Sequence, residues 1–398
     1  MRKIEEDFKK DWEQRKFSEL YARSSEKNDG SIGMDKNITV ATMQFKNDVK
    51  VSTTEYLKTY YTFKLGDIAF EGHQSKEFRY GRFVENDIGN GIVSHIFAVF
   101  RPIQEYDLCF WKYAINNETL MQRILARSTK ASTMMHDLVT NDFLKETFLV
   151  PSVKEQKQIG AFLNKLDHLI TLHQRKLEKL KLVKKSMLEK MFPKNGSSVP
   201  EIRFNGFTDD WEQRKAIDIA DYSKGNGYSK GDLTDAGTPI ILYGRLYTKY
   251  QFAISEVDTF AVPRNGAVYS QGNEVIVPAS GETAEDIARA SAVEKSGVLL
   301  GGDLNILRPF DFINPLFLAL AISNGEPQKE LAKKAQGKSV VHIHNTDIQE
   351  VTIAYPSRTE QDRIVSVFRQ LDHLITLHQR KVEKLQIMKK SMLEKMFV

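Results

Sequence analysis

The chain has 398 residues, of which 41% are hydrophobic and 27% are charged, so it is long enough for two or more domains with globular cores. No run of about 18 uncharged apolar residues occurs, which argues against a membrane span, and the charged N-terminus lacks the apolar core of a signal peptide. Its one cysteine, Cys109, excludes an internal disulfide and a cysteine-rich metal site. Together these features predict a cytoplasmic protein.

The net charge of +5 points only weakly to a polyanionic partner, but the basic charge is concentrated in two segments. Residues 152–195 hold 11 Lys and Arg against 4 Asp and Glu, and residues 357–398 hold 9 against 5. The rest of the chain is slightly acidic. Any contact with nucleic acid outside the two segments must therefore come from local patches.

The basic segments carry an internal repeat. Residues 166–192, LDHLITLHQRKLEKLKLVKKSMLEKMF, match residues 371–397 at 23 of 27 positions, and the hexapeptide DWEQRK occurs at 11–16 and again at 210–215. Each half of the chain thus consists of DWEQRK, a variable stretch and a near-identical basic helix.

This organisation predicts six segments in chain order. They are an N-terminal lead (1–16), a first variable domain (17–151), a first helix (152–192), a linker (193–215), a second variable domain (216–356) and a second helix (357–398). The variable domains combine glycine-broken β-rich runs, such as NGIVSHIFAVF and NGAVYSQGNEVIVPA, with helical patches such as PLFLALAIS. We predict that each is a small α+β domain.

Both repeat segments are predicted to be long helices. Ser152 and Ser357 are followed three residues later by Glu155 and Glu360, the capping-box pattern that starts a helix. Apolar residues then recur at alternating spacings of four and three, as in the heptad seam of a coiled coil. The predicted seam residues are Leu166, Ile170, His173, Leu177, Leu180 and Met187 in the first helix and Leu371, Ile375, His378, Val382, Leu385 and Met392 in the second.

Each helix of about 40 residues would be roughly 60 Å long at 1.5 Å per residue. One small domain cannot bury an apolar stripe of that length, so the simplest partner for each helix is the other. We therefore expect an antiparallel coiled coil that acts as a rigid spacer between the variable domains, with a Pro-, Gly- and Ser-containing linker that lets the chain return. The basic faces around Lys176, Lys179 and Lys185 could contact partner proteins, DNA or only water.

Residues that resemble catalytic groups have simpler explanations. The Asp-His pair of LDHLI occupies adjacent helix positions, which face different directions, and no nucleophile accompanies it. His342 and His344 share one face of a predicted strand, but no further metal ligands lie nearby in sequence. The Glu-x-Lys of KEQK has Asp362 in place of its lysine in the second copy. KGNGYSKG and DIGNG lack the spacing of phosphate-binding loops, and NPLF lacks the second proline of the amino-methyltransferase motif. The sequence therefore predicts neither a catalytic nor a metal site.

Basic and aromatic residues are interleaved in KEFRYGRF (76–83) and YGRLYTKYQF (243–252). Such clusters suit contact with phosphates and base edges, although an ordinary exposed strand face explains them equally well. The polar loops ARSTKAST (126–133) and KKAQGKSV (333–340) are further candidates. The candidate DNA-binding residues are Lys76, Arg79, Tyr80, Arg82 and Lys130 in the first domain and Arg245, Tyr247, Lys249, Tyr250, Lys338 and Ser339 in the second.

The whole arrangement resembles the specificity subunit of type I restriction-modification systems. The resemblance is carried by PSVKEQ and PSRTEQ before the two LDHLITLHQRK helices and by the linker VPEIRFNGFTDDWEQRK. It covers essentially the whole chain, except that MRKIEEDFKKDWEQRKF departs from the PEIRF-type lead expected before the first DWEQRK.

The resemblance implies a non-catalytic subunit whose variable domains are target recognition domains, each reading one half-site of an asymmetric, bipartite target in double-stranded DNA. It also implies two methyltransferase subunits that use S-adenosylmethionine and two restriction subunits that use ATP and Mg, with no cofactor in this chain. The alternative is a two-domain coiled-coil adaptor that binds proteins rather than DNA. Near-constant helices around divergent domains favour the specificity subunit, because an adaptor has no evident need for that contrast.

Overall fold

The structure is a computed structural model that describes residues 12–46, 53–132, 135–194, 196–337 and 340–397. The chain forms two compact units. The first unit joins Met1–Arg175 with Gln379–Val398, and the second unit is Lys176–His378. Each unit therefore contains one variable domain and part of both long helices. Within the described ranges, no helix is long and apolar enough to cross a membrane.

The first variable domain mixes short strands and helices. Its strands are β1 (Glu13–Lys16), β2 (Tyr21–Ser24), β3 (Ile38–Thr39), β4 (Gln44–Phe45), β5 (Tyr61–Phe63), β6 (Ile68–Glu71), β7 (Arg82–Glu85), β8 (Gly91–Val93), β9 (Ala98–Pro102), β10 (Thr129–Ala131), β11 (His136–Leu138) and β12 (Thr147–Val150). Its helices are α1 (Phe17–Leu20), α2 (Thr54–Leu57), α3 (Leu108–Ile115), α4 (Glu118–Ser128) and α5 (Thr140–Lys145), with a 3₁₀ turn at Met34–Lys36; the long helix α6 (Val153–Lys190) follows.

The centre of the first domain is an antiparallel sheet of order β2-β9-β6-β7. Phe143 of α5 packs on this sheet, with its ring centroid 4.5 Å from that of Phe83 and 5.2 Å from that of Phe100. These three side chains are fully buried. The burial of large aromatic side chains between helix and sheet is the main stabilisation of such a small domain.

The second unit adds the remaining elements. Its strands are β13 (Glu212–Lys215), β14 (Ala220–Lys224), β15 (Leu233–Thr234), β16 (Thr238–Ile241), β17 (Ala253–Ile254), β18 (Phe260–Ala261), β19 (Tyr269–Gln271), β20 (Glu274–Pro278), β21 (Ser280–Gly281), β22 (Ser291–Val293), β23 (Ser296–Leu300), β24 (Leu304–Pro309), β25 (Val341–His342) and β26 (Thr352–Tyr355). Its helices are α7 (Arg245–Thr248), α8 (Ala284–Ile287), α9 (Pro315–Ile322), α10 (Gly325–Lys334) and α11 (Asn345–Gln349), with 3₁₀ turns at Ala216–Asp218 and Lys230–Asp232; the long helix α12 (Arg358–Met396) follows.

The two domains share a sheet topology that their sequences do not reveal. The second domain has a sheet of order β14-β24-β20-β22-β17, in which the first four strands are antiparallel neighbours and β17 adds in parallel. Strands β14, β24, β20 and β22 thus correspond to β2, β9, β6 and β7. The second domain also has a sheet of order β15-β18-β16-β23-β19. The α+β prediction for both domains is confirmed.

The hexapeptide repeat closes each domain. Strand β1 pairs antiparallel with β12, and β13 pairs in the same way with β26. Strands β12 and β26 lie immediately before the long helices. The repeated EQRK therefore joins the start of each domain to its end, which explains why it recurs near the domain entrances.

The long helices α6 and α12 have 38 and 39 residues. In the first unit, Lys389 Nζ of α12 lies 2.6 Å from Asp167 Oδ1 of α6; in the second unit, Lys184 of α6 forms an ion pair with Asp372 of α12. Asp167 and Asp372 are the same position of the repeat, and so are Lys184 and Lys389, so the two ion pairs are equivalent. From Asp167 to Lys184 along α6, the partner on α12 moves back from Lys389 to Asp372. The helices therefore pair antiparallel, as predicted.

The predicted seam residues are all buried or half-buried. By contrast, the side chains of Leu172, Leu182 and Ile387 on the same helices are 50%, 68% and 69% exposed. The heptad spacing therefore separates the buried apolar positions from exposed ones. The pairing of the seam residues across the two helices stays a prediction.

Each long helix contributes to the cores of both units. Ile159 and Leu163, near the start of α6, belong to the core cluster of the first domain, whereas Met191 and Phe192, just after its end, belong to that of the second. Helix α12 does the reverse, starting in the second core and ending with Phe397 in the first. Each half of the chain thus contributes the end of its long helix to the core of the other half.

Each helix start has the serine bond of the predicted capping box and additional tertiary bonds. Ser152 Oγ accepts a hydrogen bond from the Glu155 backbone N–H at 3.3 Å, and Ser357 accepts the equivalent bond at 3.4 Å. The Glu155 carboxylate accepts from Trp12 Nε1 at 3.0 Å. Glu360 instead accepts two bonds of 2.8 Å from the Arg203 guanidinium. The capping glutamates therefore also fasten the segment that leads into each domain.

Candidate DNA-binding surfaces

In the first domain the fold joins two candidate stretches that are distant in sequence. The His136 backbone N–H donates to Gly72 O at 2.8 Å, and His73 forms a β-bridge with Met135. The β10–β11 hairpin, which carries Lys130, therefore lies against the segment that follows β6 and carries Lys76. We call the described residues 73–82, 129–132 and 135–136 together the first-domain surface.

Exposed cations lie on this surface around a half-buried tyrosine. Lys76, Arg79 and Lys130 are exposed. The Arg79 guanidinium lies 5.5 Å from the centroid of the Tyr80 ring, and that ring packs edge-on to His136 at 5.3 Å. The cations thus face solvent, and their contact with phosphates stays a prediction, while Tyr80 packs the loop against the hairpin.

Arg82 has a different environment from the other predicted cations. Its Nε donates to Glu71 Oε2 at 2.7 Å, a second guanidinium nitrogen donates to Ala41 O at 2.8 Å, and the group lies 5.1 Å from the centroid of the Phe78 ring. Its charge is paired with Glu71, and two of its nitrogens donate within the domain. Arg82 thus supports the loop in this structure, and its contact with DNA stays a prediction.

Sequence reasoning missed two polar residues of the first-domain surface. Gln74 Nε2 lies 2.5 Å from His136 Nε2, and His136 Nδ1 lies 3.3 Å from Thr129 Oγ1, whose hydroxyl donates to Leu125 O at 2.6 Å. His136 is buried, whereas Gln74 is exposed. No local sequence signal marks this contact, because it depends on strand pairing between segments about sixty residues apart.

In the second domain, the predicted cations Arg245 of α7 and Lys249 just after it are bound to acidic groups. Arg245, whose side chain is only 8% exposed, lies 2.5 Å from Asp258 and also donates to Glu256 O at 2.9 Å. Lys249 Nζ lies 2.5 Å from the other oxygen of Asp258 and is exposed. Hydrogen bonds from Lys249 and Arg245 hold the pKa of Asp258 well below its usual value. Of the two cations, Lys249 is thus the one that faces solvent.

The two predicted tyrosines of this stretch make contacts within the domain. The Tyr247 hydroxyl donates to Ser280 O, and burial raises its pKa. The Tyr250 side chain is 37% exposed, and its hydroxyl donates to Ala290 O at 3.3 Å. Tyr250 also lines a hollow of about 290 Å³ together with Lys184 of α6. Tyr247 and Tyr250, which are close in the sequence, therefore contact different parts of the domain.

A second hairpin corresponds to that of the first domain. Ser280 pairs with His342 in the β21–β25 ladder, as Gly72 contacts His136, and Ser280 Oγ lies 3.2 Å from His342 Nδ1. The loop between α10 and β25 carries the predicted Lys338 and Ser339, which lie outside the described residues. We call the described residues 280–283, 335–337 and 340–342 together the second-domain surface.

The fold places the sequence-noted histidines in structural contacts. His342 pairs with β21, and the His344 backbone N–H donates to the Asp347 carboxylate at 2.7 Å at the start of α11. Among the described residues, no group of three or more His, Cys, Asp or Glu side chains is arranged to hold a metal ion.

Comparisons with known proteins agree with the repeated architecture. The family described as the type I restriction modification DNA specificity domain matches residues 9–182 and 208–386. The specificity subunit of the type I restriction enzyme MjaVIII from Methanocaldococcus jannaschii is 21% identical over 292 residues, which cover 71% of this chain and 68% of that protein.

Solved structures are similar in fold at low sequence identity. The S subunit of a type I restriction-modification system from M. genitalium is 15% identical, with a TM-score of 0.57 and coverage of 98% of this chain and 96% of that one. A chain from a study of complex assembly and conformational transition of the type I R-M system is also 15% identical, with a TM-score of 0.52 and coverage of 98% of both chains. At such identities the likeness concerns the fold alone.

Proposed function

Since this chain belongs to the type I restriction modification DNA specificity domain family, we propose that it is a sequence-specific DNA-binding subunit that reads an asymmetric bipartite target. The observation that carries the proposal is the repeat of one specificity domain on one sheet topology with different surface residues. Two domains of the same topology present equivalent loops, and unlike side chains on those loops select unlike base pairs. Each domain reads one half-site.

The chain supplies specificity and not catalysis. It recruits two methyltransferase subunits that use S-adenosylmethionine and two restriction subunits that use ATP and Mg. The near-identical helices support the paired stoichiometry, because 23 of 27 matching residues offer the same face twice to two copies of one partner.

The exposed cations of the first-domain surface and Lys249 of the second domain contact the DNA backbone. Lys76, Arg79, Lys130 and Lys249 are exposed, and each would displace about one counterion from a phosphate. Lys76→Ala and Lys130→Ala should weaken binding evenly across target sequences and reduce the slope of log K against log salt by about 1 each. A variant that instead alters discrimination at one base pair would contradict the backbone assignment.

The paired helices set the separation of the half-sites. Insertion of one heptad into both α6 and α12 lengthens the pair by about 10 Å, which is about three base pairs of duplex. We expect a spacer longer by about three base pairs with both half-sites unchanged. The same heptad inserted into the linker after residue 196 is the matched control and should leave the spacer unaltered. An unchanged spacer in the helix variant would reject the role of the helices as a ruler.

The test of the function itself is single-molecule methylome sequencing. Cells that express this chain with its cognate methyltransferase subunit are compared with cells that lack the chain. A new bipartite adenine-methylation motif is expected, and it would give both half-sites. If the two proteins associate and no motif appears, the adaptor alternative is favoured.

A further inference from the structure

Gln74 and Glu282 occupy equivalent positions in the two domains. In each domain the central strand, β6 or β20, is followed by a residue that contacts the histidine of the hairpin: Gly72 contacts His136, and Ser280 pairs with His342. Gln74 lies two residues after Gly72, and Glu282 lies two residues after Ser280. Both side chains are exposed on the surfaces that carry the candidate DNA-binding loops.

The hydrogen bonds around His136 define which atoms of Gln74 face outward. The Thr129 hydroxyl donates to Leu125 O, so its oxygen can only accept from His136 Nδ1–H. In neutral His136 the other nitrogen, Nε2, is then an acceptor, and it must receive an N–H from the Gln74 amide. Gln74 therefore keeps one N–H donor and its carbonyl acceptor for a ligand.

This donor and acceptor pair is complementary to adenine in the major groove. The Gln74 carbonyl can accept from the adenine N6 amino group while its remaining N–H donates to N7. The buried imidazole fixes the amide in one orientation, which reduces the entropy lost when DNA binds. His136 is therefore a positioning residue for Gln74.

The carboxylate of Glu282 has different chemistry at the same place. It only accepts hydrogen bonds, and the base-edge donor that it matches is the N4 amino group of cytosine. It is followed by Thr283, whose side chain accepts from the Asp286 backbone N–H and caps α8. The cap fixes the turn that presents Glu282.

We propose that Gln74 and Glu282 are equivalent base-reading side chains, Gln74 selecting an adenine in one half-site and Glu282 a cytosine in the other. The inference rests on the proposed function, because it assigns bases within a bipartite target. It explains how one topology reads two different half-sites through a single position in each domain.

The test measures binding of the purified complex of this chain with its methyltransferase subunit to duplexes of its mapped target, each carrying one altered base pair. Gln74→Ala should reduce discrimination at one A·T pair of one half-site by about 10- to 100-fold and leave the other half-site unchanged. Gln74→Glu should move the preference at that pair toward C·G. Glu282→Gln should move one pair of the other half-site toward A·T.

His136→Ala should reduce discrimination at the same pair as Gln74→Ala, and the double variant should lose no more than Gln74→Ala alone. Gln14→Ala is the matched control, because Gln14 is an exposed glutamine whose side chain donates to Thr147 at 2.9 Å on β12. It should not change discrimination at any pair.

A Gln74→Ala complex that keeps full discrimination at every pair, or loses affinity evenly for all duplexes, would overturn the assignment while the bipartite target stands. A wild-type complex without sequence preference would overturn the proposed function and this inference together. Unaltered discrimination in the second half-site shows that the Gln74 variants are folded.

Discussion

Phe397 is the residue that best tests how the two halves of the chain are joined. It follows α12 directly, its side chain is 5% exposed, and its ring lies 5.5 Å from that of Phe110 and 6.2 Å from that of Trp12. Thus the end of the second helix completes the core of the first domain. Phe397→Ala should therefore destabilise the first domain rather than the second.

The size of the effect follows from the burial. Truncation of a buried phenylalanine to alanine costs about 3–5 kcal/mol. Phe397 lies next to the helix end, where the backbone can partly collapse into the space, so the lower end of the range is expected. A loss of about 3 kcal/mol corresponds to roughly a hundredfold faster amide exchange through local opening.

Hydrogen exchange read out by peptide mass spectrometry measures this loss domain by domain. Phe192→Ala is the matched control, because Phe192 is the same repeat position and packs in the second unit, 5.7 Å from Phe317 and 6.1 Å from Trp211. Phe397→Ala should lower protection in α3 and around β12, and Phe192→Ala in α9. Lost protection in α9 with Phe397→Ala would refute the placement of the end of α12 in the core of the first domain.

Three further substitutions have clear expected outcomes. Glu85 is buried with both carboxylate oxygens unpartnered among the described residues, and burial raises its pKa well above 4.5. A carboxyl whose pKa rises on folding adds stability below its unfolded pKa and loses it as the pH rises towards its folded pKa. Glu85→Gln should therefore stabilise the first domain by about 1–3 kcal/mol at neutral pH, with a smaller gain near pH 4 in thermal melts; a pH-independent difference would contradict this. Arg203→Ala leaves the buried Glu360 carboxylate without its partner and should cost about 3–5 kcal/mol at the start of α12 by hydrogen exchange, with partial recovery when Glu360→Gln is added. Asp167→Lys should weaken the helix pair by about 1 kcal/mol in urea unfolding, and adding Lys389→Asp should restore part of the loss, since the hydrogen bond from the Tyr113 hydroxyl to Asp167 stays broken; no recovery would show that the ion pair does not join the helices.

The sequence was sufficient for the features that depend on local periodicity and on repetition. Long helices, their caps and their antiparallel pairing follow from the heptad spacing and from two near-identical copies, because a 3.5-residue apolar period leaves few other ways to bury the stripe. The bonds from Trp12 and Arg203 to the capping glutamates did not follow, because they join segments that are 143 and 157 residues apart.

The tertiary structure decided which of the candidate DNA-binding residues face solvent. Interleaved cations looked alike in sequence, yet Arg82 and Arg245 are bound to carboxylates while Lys76 and Lys130 are exposed. The pairing of a hairpin with the segment after β6 made Gln74 the neighbour of a buried histidine, and no local pattern records that pairing. Chain repetition determined that there are two equivalent domains, whereas long-range strand pairing determined which side chains each of them presents, because hydrogen-bond partners in a sheet are chosen by the whole fold and not by neighbours in sequence.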